Sequence, residues 1–123
     1  MIKWNNPNII LLILFSLFSN SYGQHITQTV RGKVIDSDTK APLLFANIMI
    51  RTTNPVLGAA SDTNGVFRID LVPIGRHDIQ VSYMGYETKV IPEILVSSSK
   101  EVVLEVPLKE DIKKTLLKWM LWL

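Results

Sequence analysis

The chain has 123 residues, with 13 Lys and Arg against 11 Asp and Glu, and no Cys. That length allows one domain, and the lack of Cys excludes a thiol nucleophile, a disulfide framework and a zinc–thiolate site. Residues 24–108 hold eight basic and nine acidic side chains, so no clustered basic face marks a nucleic-acid partner.

The chain opens with Lys3 and an apolar run from Ile9 to Phe18, broken only by Ser16. The run has the length of a signal-peptide h-region and is too short for a stop-transfer helix. Ser21 and Gly23 offer small side chains at −3 and −1 of a cleavage site, which makes Gln24 the mature N-terminus. No Cys follows, so a lipid-anchor motif is excluded. The expected organisation is a signal peptide over 1–23, one domain over 24–108 and a basic, apolar tail over 109–123.

From Thr29 onward the pattern is short alternating runs parted by turn signals. Thr29 to Ile35 places Val30 and Val34 on one face. The cluster Asp36 to Thr39 turns the chain. Phe45 to Thr52 sets Ala46, Ile48 and Ile50 against Asn47 and Arg51, and Pro55 ends it. Leu57 to Ser61 is short. Asp62-Thr63-Asn64-Gly65 is a strong hairpin signal, because Asn-Gly accepts the positive φ that a tight turn requires. Val66 to Leu71 turns Phe67, Ile69 and Leu71 to one face. After Pro73-Ile74-Gly75, His77 to Tyr83 turns Ile79 and Val81 inward, and Gly85 breaks the chain again. Glu87 to Ile91 reads as an edge strand, and Glu101 to Leu108 alternates Val102, Leu104, Val106 and Leu108. About seven strands at roughly ten-residue spacing predict an all-β sandwich or barrel.

The last residues change period. Ile112, Leu116, Trp119, Met120 and Leu123 fall at helical spacing among Lys113, Lys114 and Lys118. They read either as a basic amphipathic helix on a membrane surface or as the truncated or out-of-frame end of a longer gene. The second reading is preferred, for a reason given with the resemblance below.

Four stretches resemble the carboxypeptidase regulatory-like domain. Arg31 to Asp36 matches its opening G-x-V-x-D. Pro42 to Ile48 matches P-L-x-x-A-x-V. Ser61 to Phe67 matches T-D-x-x-G-x-F, with Ser61 for Thr. Ile74 to Tyr86 matches the segment ending G-Y, with His77 where Tyr is usual. The resemblance implies a seven-stranded prealbumin-like (transthyretin-like) sandwich with no catalytic residue, cofactor or metal. It implies that Gly32, Pro42, Ala46, Asp62, Gly65, Phe67, Gly75, Gly85 and Tyr86 are structural. Such domains extend the N-terminus of starch-utilisation-type TonB-dependent outer-membrane receptors. The expected partner is therefore a protein of the cell envelope, such as a receptor barrel or plug linked to TonB, and the expected location is the periplasm or outer membrane. A receptor of this kind continues into a linker, plug and barrel after the position of Leu108, so the expectation is the front end of a receptor or a stand-alone module. A carbohydrate-binding or adhesion module is the alternative. Membrane contact is expected only through the tail.

Other chemistries lack their residues. The only His residues are His25 and His77, with no His-Glu-x-x-His segment for a zinc peptidase. His25 lies in the lead to the first strand, and His77 reads as structural. Asp62 to Gly65 resembles the start of an EF-hand loop but lacks its Glu. Asp36 and Asp38 read as solvated carboxylates beside a turn. No G-x-S-x-G elbow exists. Tyr83 is the one candidate glycan contact, with Tyr86 read as a core anchor.

Overall fold

The computed structural model describes residues 5–18 and 22–122. Lys3, Ser21 and Leu123 lie outside the described residues, as does the side chain of Lys114. Helix α1 (Pro7–Ser16) begins on a proline, whose fixed φ suits a first turn. None of its residues is buried, although Leu11, Leu12 and Phe15 are all large and apolar. No described helix is long and apolar enough to cross a membrane.

Seven strands follow: β1 (Thr27–Asp36), β2 (Asn47–Ile50), β3 (Leu57–Ala60), β4 (Val66–Pro73), β5 (Gly75–Ser82), β6 (Lys89–Val96) and β7 (Val102–Leu108), then helix α2 (Ile112–Met120). They form two sheets, ordered β4-β1-β7 and β3-β2-β5-β6. This is the seven-stranded β-sandwich that the turn spacing predicts. Strand β1 is the hub of the first sheet, antiparallel to β4 and parallel to β7, with Val30 opposite Val102. The first and last strands of the domain therefore close it on themselves.

Period-two alternation builds the core. Val30, Val34, Phe67, Ile69, Val72, Val106 and Leu108 from one sheet form a single buried cluster with Ile48, Ile50, Ile79, Val81 and Val96 from the other. Each such side chain contributes about 1.5–3 kcal/mol over its exposed state. Gly32 sits opposite Phe67 across the β1–β4 pair, and a Cβ there would lie 2.9 Å from the Phe67 ring and collide with the Leu104 carbonyl. The large ring packs on bare backbone because Gly32 has no side chain.

Four local expectations are corrected. Leu71 is exposed, and Val72 takes the buried place. The β1–β4 register shifts between Gln28 and Val30, and Leu71 adopts φ +58°, so a bulge turns the side chain outward. The edge strand runs over Lys89–Val96 rather than Glu87 to Ile91, and a second shift opposite His77 and Ile79 accommodates Pro92 and Glu93. Strand β2 is shorter than Phe45 to Thr52: Phe45 has φ +62° and precedes it. Finally, the Asp62 turn forms but is no hairpin, since β3 and β4 belong to different sheets.

That turn is a corner between layers. The Gly65 N–H donates to the Asp62 carbonyl at 2.9 Å, and the Asp62 carboxylate accepts from the N–H groups of Asn64 and Val66, both at 2.9 Å. Gly65 holds φ +74°, and a Cβ on it would meet the Val34 carbonyl at 2.5 Å and Pro42 at 3.0 Å. Beside it, buried Ser61 accepts from the Ala46 N–H at 2.8 Å and donates to the Leu43 carbonyl at 2.5 Å. One hydroxyl thus satisfies two backbone groups of the Pro42–Ala46 segment. Ser61→Ala strands both, and the expected loss is roughly 2–6 kcal/mol at 1–3 kcal/mol per unsatisfied group. Ser61→Thr retains most of the stability. Urea unfolding of the three proteins checks this.

Candidate functional site

The end of the sandwich that carries the C-terminus of β1 gathers most of the special residues. Tyr83 to Tyr86 makes a four-residue turn closed by the Tyr86 N–H on the Tyr83 carbonyl at 3.1 Å. Gly85 takes the third place with φ +83°, where a side chain would strain the turn. The turn stacks Tyr83 edge-on against Tyr86, with centroids 5.3 Å apart and planes at 64°.

The Tyr86 hydroxyl donates to Asp36 Oδ2 at 2.6 Å. The other oxygen, Oδ1, accepts the N–H groups of Asp38 at 2.8 Å and Thr39 at 2.9 Å. Asp36 is thus not a solvated carboxylate: it is 7% exposed and fully engaged. A buried carboxylate is tolerated when donors surround it. Those donors, Tyr86 first and then the two N–H groups, hold its pKa down to about 2. Donation to an anion, with burial adding to it, pushes the Tyr86 phenol up to about 12.

The same loop anchors the tail. Glu87 N–H donates to the Lys109 carbonyl at 2.8 Å, and Asp111 N–H donates to the Gly85 carbonyl at 2.9 Å. Helix α2 starts at the next residue. Between the loop and the helix lies an open cleft of about 1170 Å³, walled by Phe45, Tyr83, Met84, Tyr86, Trp119 and Trp122. Asn47, Thr88, Glu110 and Lys118 add polar groups at its walls. Phe45 has a left-handed backbone and is 74% exposed. A bulky residue at positive φ is strained, which marks the position as one to test for function.

With this geometry in place, a family profile for the carboxypeptidase regulatory-like domain matches residues 29–109. The chain belongs to that family. None of the curated proteins matches it. Among solved structures it is similar to an interface mutant of the type II cohesin–X-dockerin complex of Acetivibrio cellulolyticus. That match has a TM-score of 0.55 and 23% identity, covering 66% of this chain and 56% of that one. It is also similar to a candidate carbohydrate-binding protein of Bacteroides uniformis, at TM-score 0.55 and 14% identity, covering 66% and 40%. The major pilin subunit BcpA of Bacillus cereus matches at TM-score 0.52 and 19% identity, covering 69% and 30%. The chain spans little more than half of the first of these and less of the others. At such identities the likeness establishes the fold alone.

The motif residues of this carboxypeptidase regulatory-like domain do not form one site. Pro42, Ala46, Asp62 and Gly65 surround the layer corner, while Gly32 and Phe67 stack in the core. Gly85 and Tyr86 form the cleft wall. Gly75, at φ +137°, stands at the opposite end, where Ile74 N–H donates to the Ile26 carbonyl at 3.3 Å. His77 is buried near that end as well. Its Nε2 lies 2.7 Å from the Pro73 carbonyl, which only accepts, so Nε2 carries the proton. Nδ1 lies 2.8 Å from the Thr52 hydroxyl. Both nitrogens therefore tie strand ends together. Among the described residues no group of three or more His, Cys, Asp and Glu is placed to hold a metal ion. Sequence reasoning missed Phe45, whose exposure follows from a backbone conformation that its side chain gives no sign of.

Two predictions follow from these bonds. A depressed carboxylate pKa stabilises the fold above the unfolded value near 4 and loses that effect as pH falls toward 2. The raised phenol stabilises below pH 10 and loses its effect as pH rises toward 12. Tyr86→Phe is expected to lower Tm at pH 7 and to flatten the decline of Tm between pH 4 and pH 2, as thermal melts across that range will show. His77→Ala leaves the Pro73 carbonyl without its donor and is expected to cost about 1–3 kcal/mol in urea unfolding.

Proposed function

We propose that this chain is a non-catalytic, exported β-sandwich module of the cell envelope that works as the N-terminal extension of a TonB-dependent outer-membrane receptor in nutrient uptake. The observation that carries the reading is the junction before β1. An apolar helix that buries none of its residues precedes a family sandwich beginning at Thr27. An apolar segment with no place in the core has its use outside the fold, and export supplies that use. Family membership supports the receptor part. The engagement of Asp36, Ser61, Tyr86 and His77 in intramolecular bonds supports a module that packs against partners rather than one that performs chemistry.

Export is tested by the mature N-terminus. Mass spectrometry of the cell-envelope fraction is expected to find a chain beginning at Gln24. A chain that keeps Met1 and stays in the cytoplasm refutes the proposal. The receptor part is tested by the nucleotide sequence past the Leu123 codon and by fractionation. A plug-and-barrel reading frame and recovery with the outer membrane are expected; their absence defeats it.

The aromatic cleft favours a second reading, a carbohydrate-binding module. Tyr83 and the two indoles offer faces on which a sugar ring can stack, with Asn47 and Glu110 for its hydroxyls. Calorimetric titration of the chain with plant and host glycans separates the two. Binding that Tyr83→Ala abolishes selects the second, and no heat from any glycan selects the first.

A further inference from the structure

We propose that α2 is a lipid-docking helix that lays its apolar face on an anionic bilayer and holds the sandwich against it. The inference goes beyond the receptor reading and does not depend on it. The backbone bonds of Glu87 with Lys109 and of Asp111 with Gly85 fix where α2 leaves the domain. At 100° per residue, Ile112, Leu116 and Met120 share one face, with Trp119 at its margin. The sandwich does not use that face. The helix lines the cleft with Trp119 at the margin of that face and with Trp122 and Lys118, more than a quarter-turn from its centre. Ile112, Leu116 and Met120 stay 68%, 55% and 68% exposed.

Charge decides what covers them. Lys113 flanks the apolar face beside Met120, and Lys118 lies across the helix on the cleft side, both exposed. Residues 109–123 carry four Lys against two acids, while residues 24–108 are close to neutral. A second copy docked face to face would bring like charges together. An anionic lipid surface meets the lysines with phosphates and the apolar face with acyl chains, the arrangement of an interfacial helix. Tryptophan is favoured at that depth. With nine residues the helix is too short to span a bilayer and long enough to lie on it.

The test uses the full chain carrying Trp4→Phe, so that Trp119 and Trp122 are its only indoles. Lipid contact through α1 alone then leaves the signal unchanged. Mixed phosphatidylglycerol–phosphatidylcholine vesicles are expected to shift the emission to the blue, and brominated lipid is expected to quench it. Added Lys113→Gln and Lys118→Gln should weaken partitioning about twenty-five-fold, from two cations worth about fivefold each at an anionic surface. These exposed substitutions leave the far-UV circular dichroism unchanged. The proposal is overturned if the indoles do not respond to vesicles while the chain binds them. It is overturned equally by the same partitioning into pure phosphatidylcholine, or by light scattering that shows a dimer with indoles already buried before lipid is added.

Discussion

The carboxylate of Asp36 is the constraint on which one whole end of the molecule depends. It terminates β1, the hub strand, and each of its oxygens holds a different part of the chain. Oδ1 collects the N–H groups of Asp38 and Thr39 and turns the backbone toward Pro42. Oδ2 receives the hydroxyl of Tyr86, fifty positions further on. The backbone beside Tyr86 in turn holds residues 109–111. A buried carboxylate without donors is a heavy penalty, so the local turn and the distant loop stabilise each other through it.

Polar corners of this kind carry unusual weight here because the core is small and no disulfide constrains the unfolded chain. A domain of this length buries only about two-thirds of its unfolded surface. Apolar burial is non-directional and permits several registers. The bonds at Ser61, Asp36 and the Asp62 turn are directional. They join the four sequence motifs in space: Pro42 lies against Gly65, Ser61 holds Leu43 and Ala46, and Tyr86 reaches Asp36. The motifs are thus the contact points between loops that connect the two sheets.

This explains what was legible in the sequence. A half-buried strand writes its face into every second residue, so Val30 and Val34, Ile48 and Ile50, or Val106 and Leu108 declare themselves by spacing. A bulge shifts that phase by one residue with no compositional mark, which hid the outward turn of Leu71 and the displacement of β6. The Asn64-Gly65 pair announced a tight turn, but turn chemistry does not say which sheet the next strand joins. Asp36 was misread because three donors desolvate and satisfy it, and two of them are backbone. The third, Tyr86, is remote in sequence and adjacent only once the sandwich has closed.

The consequence for function is mechanical. The Tyr86 ring forms a wall of the cleft while its hydroxyl is locked inside the fold, so anything bound there meets a wall with little freedom to adjust. The strained, exposed Phe45 is held by its N–H bond to the Ser61 carbonyl, which extends the β2–β3 pairing beyond the strands. Helix α2 hangs from the backbone of Gly85 and Glu87. Cleft, strained aromatic and tail therefore share one rigid support, and a preformed surface of this kind binds without first meeting the entropy of ordering its loops. In this chain the ionisable and hydroxyl groups nearest the core, Asp36, Ser61, His77 and Tyr86, are all bound to the protein itself.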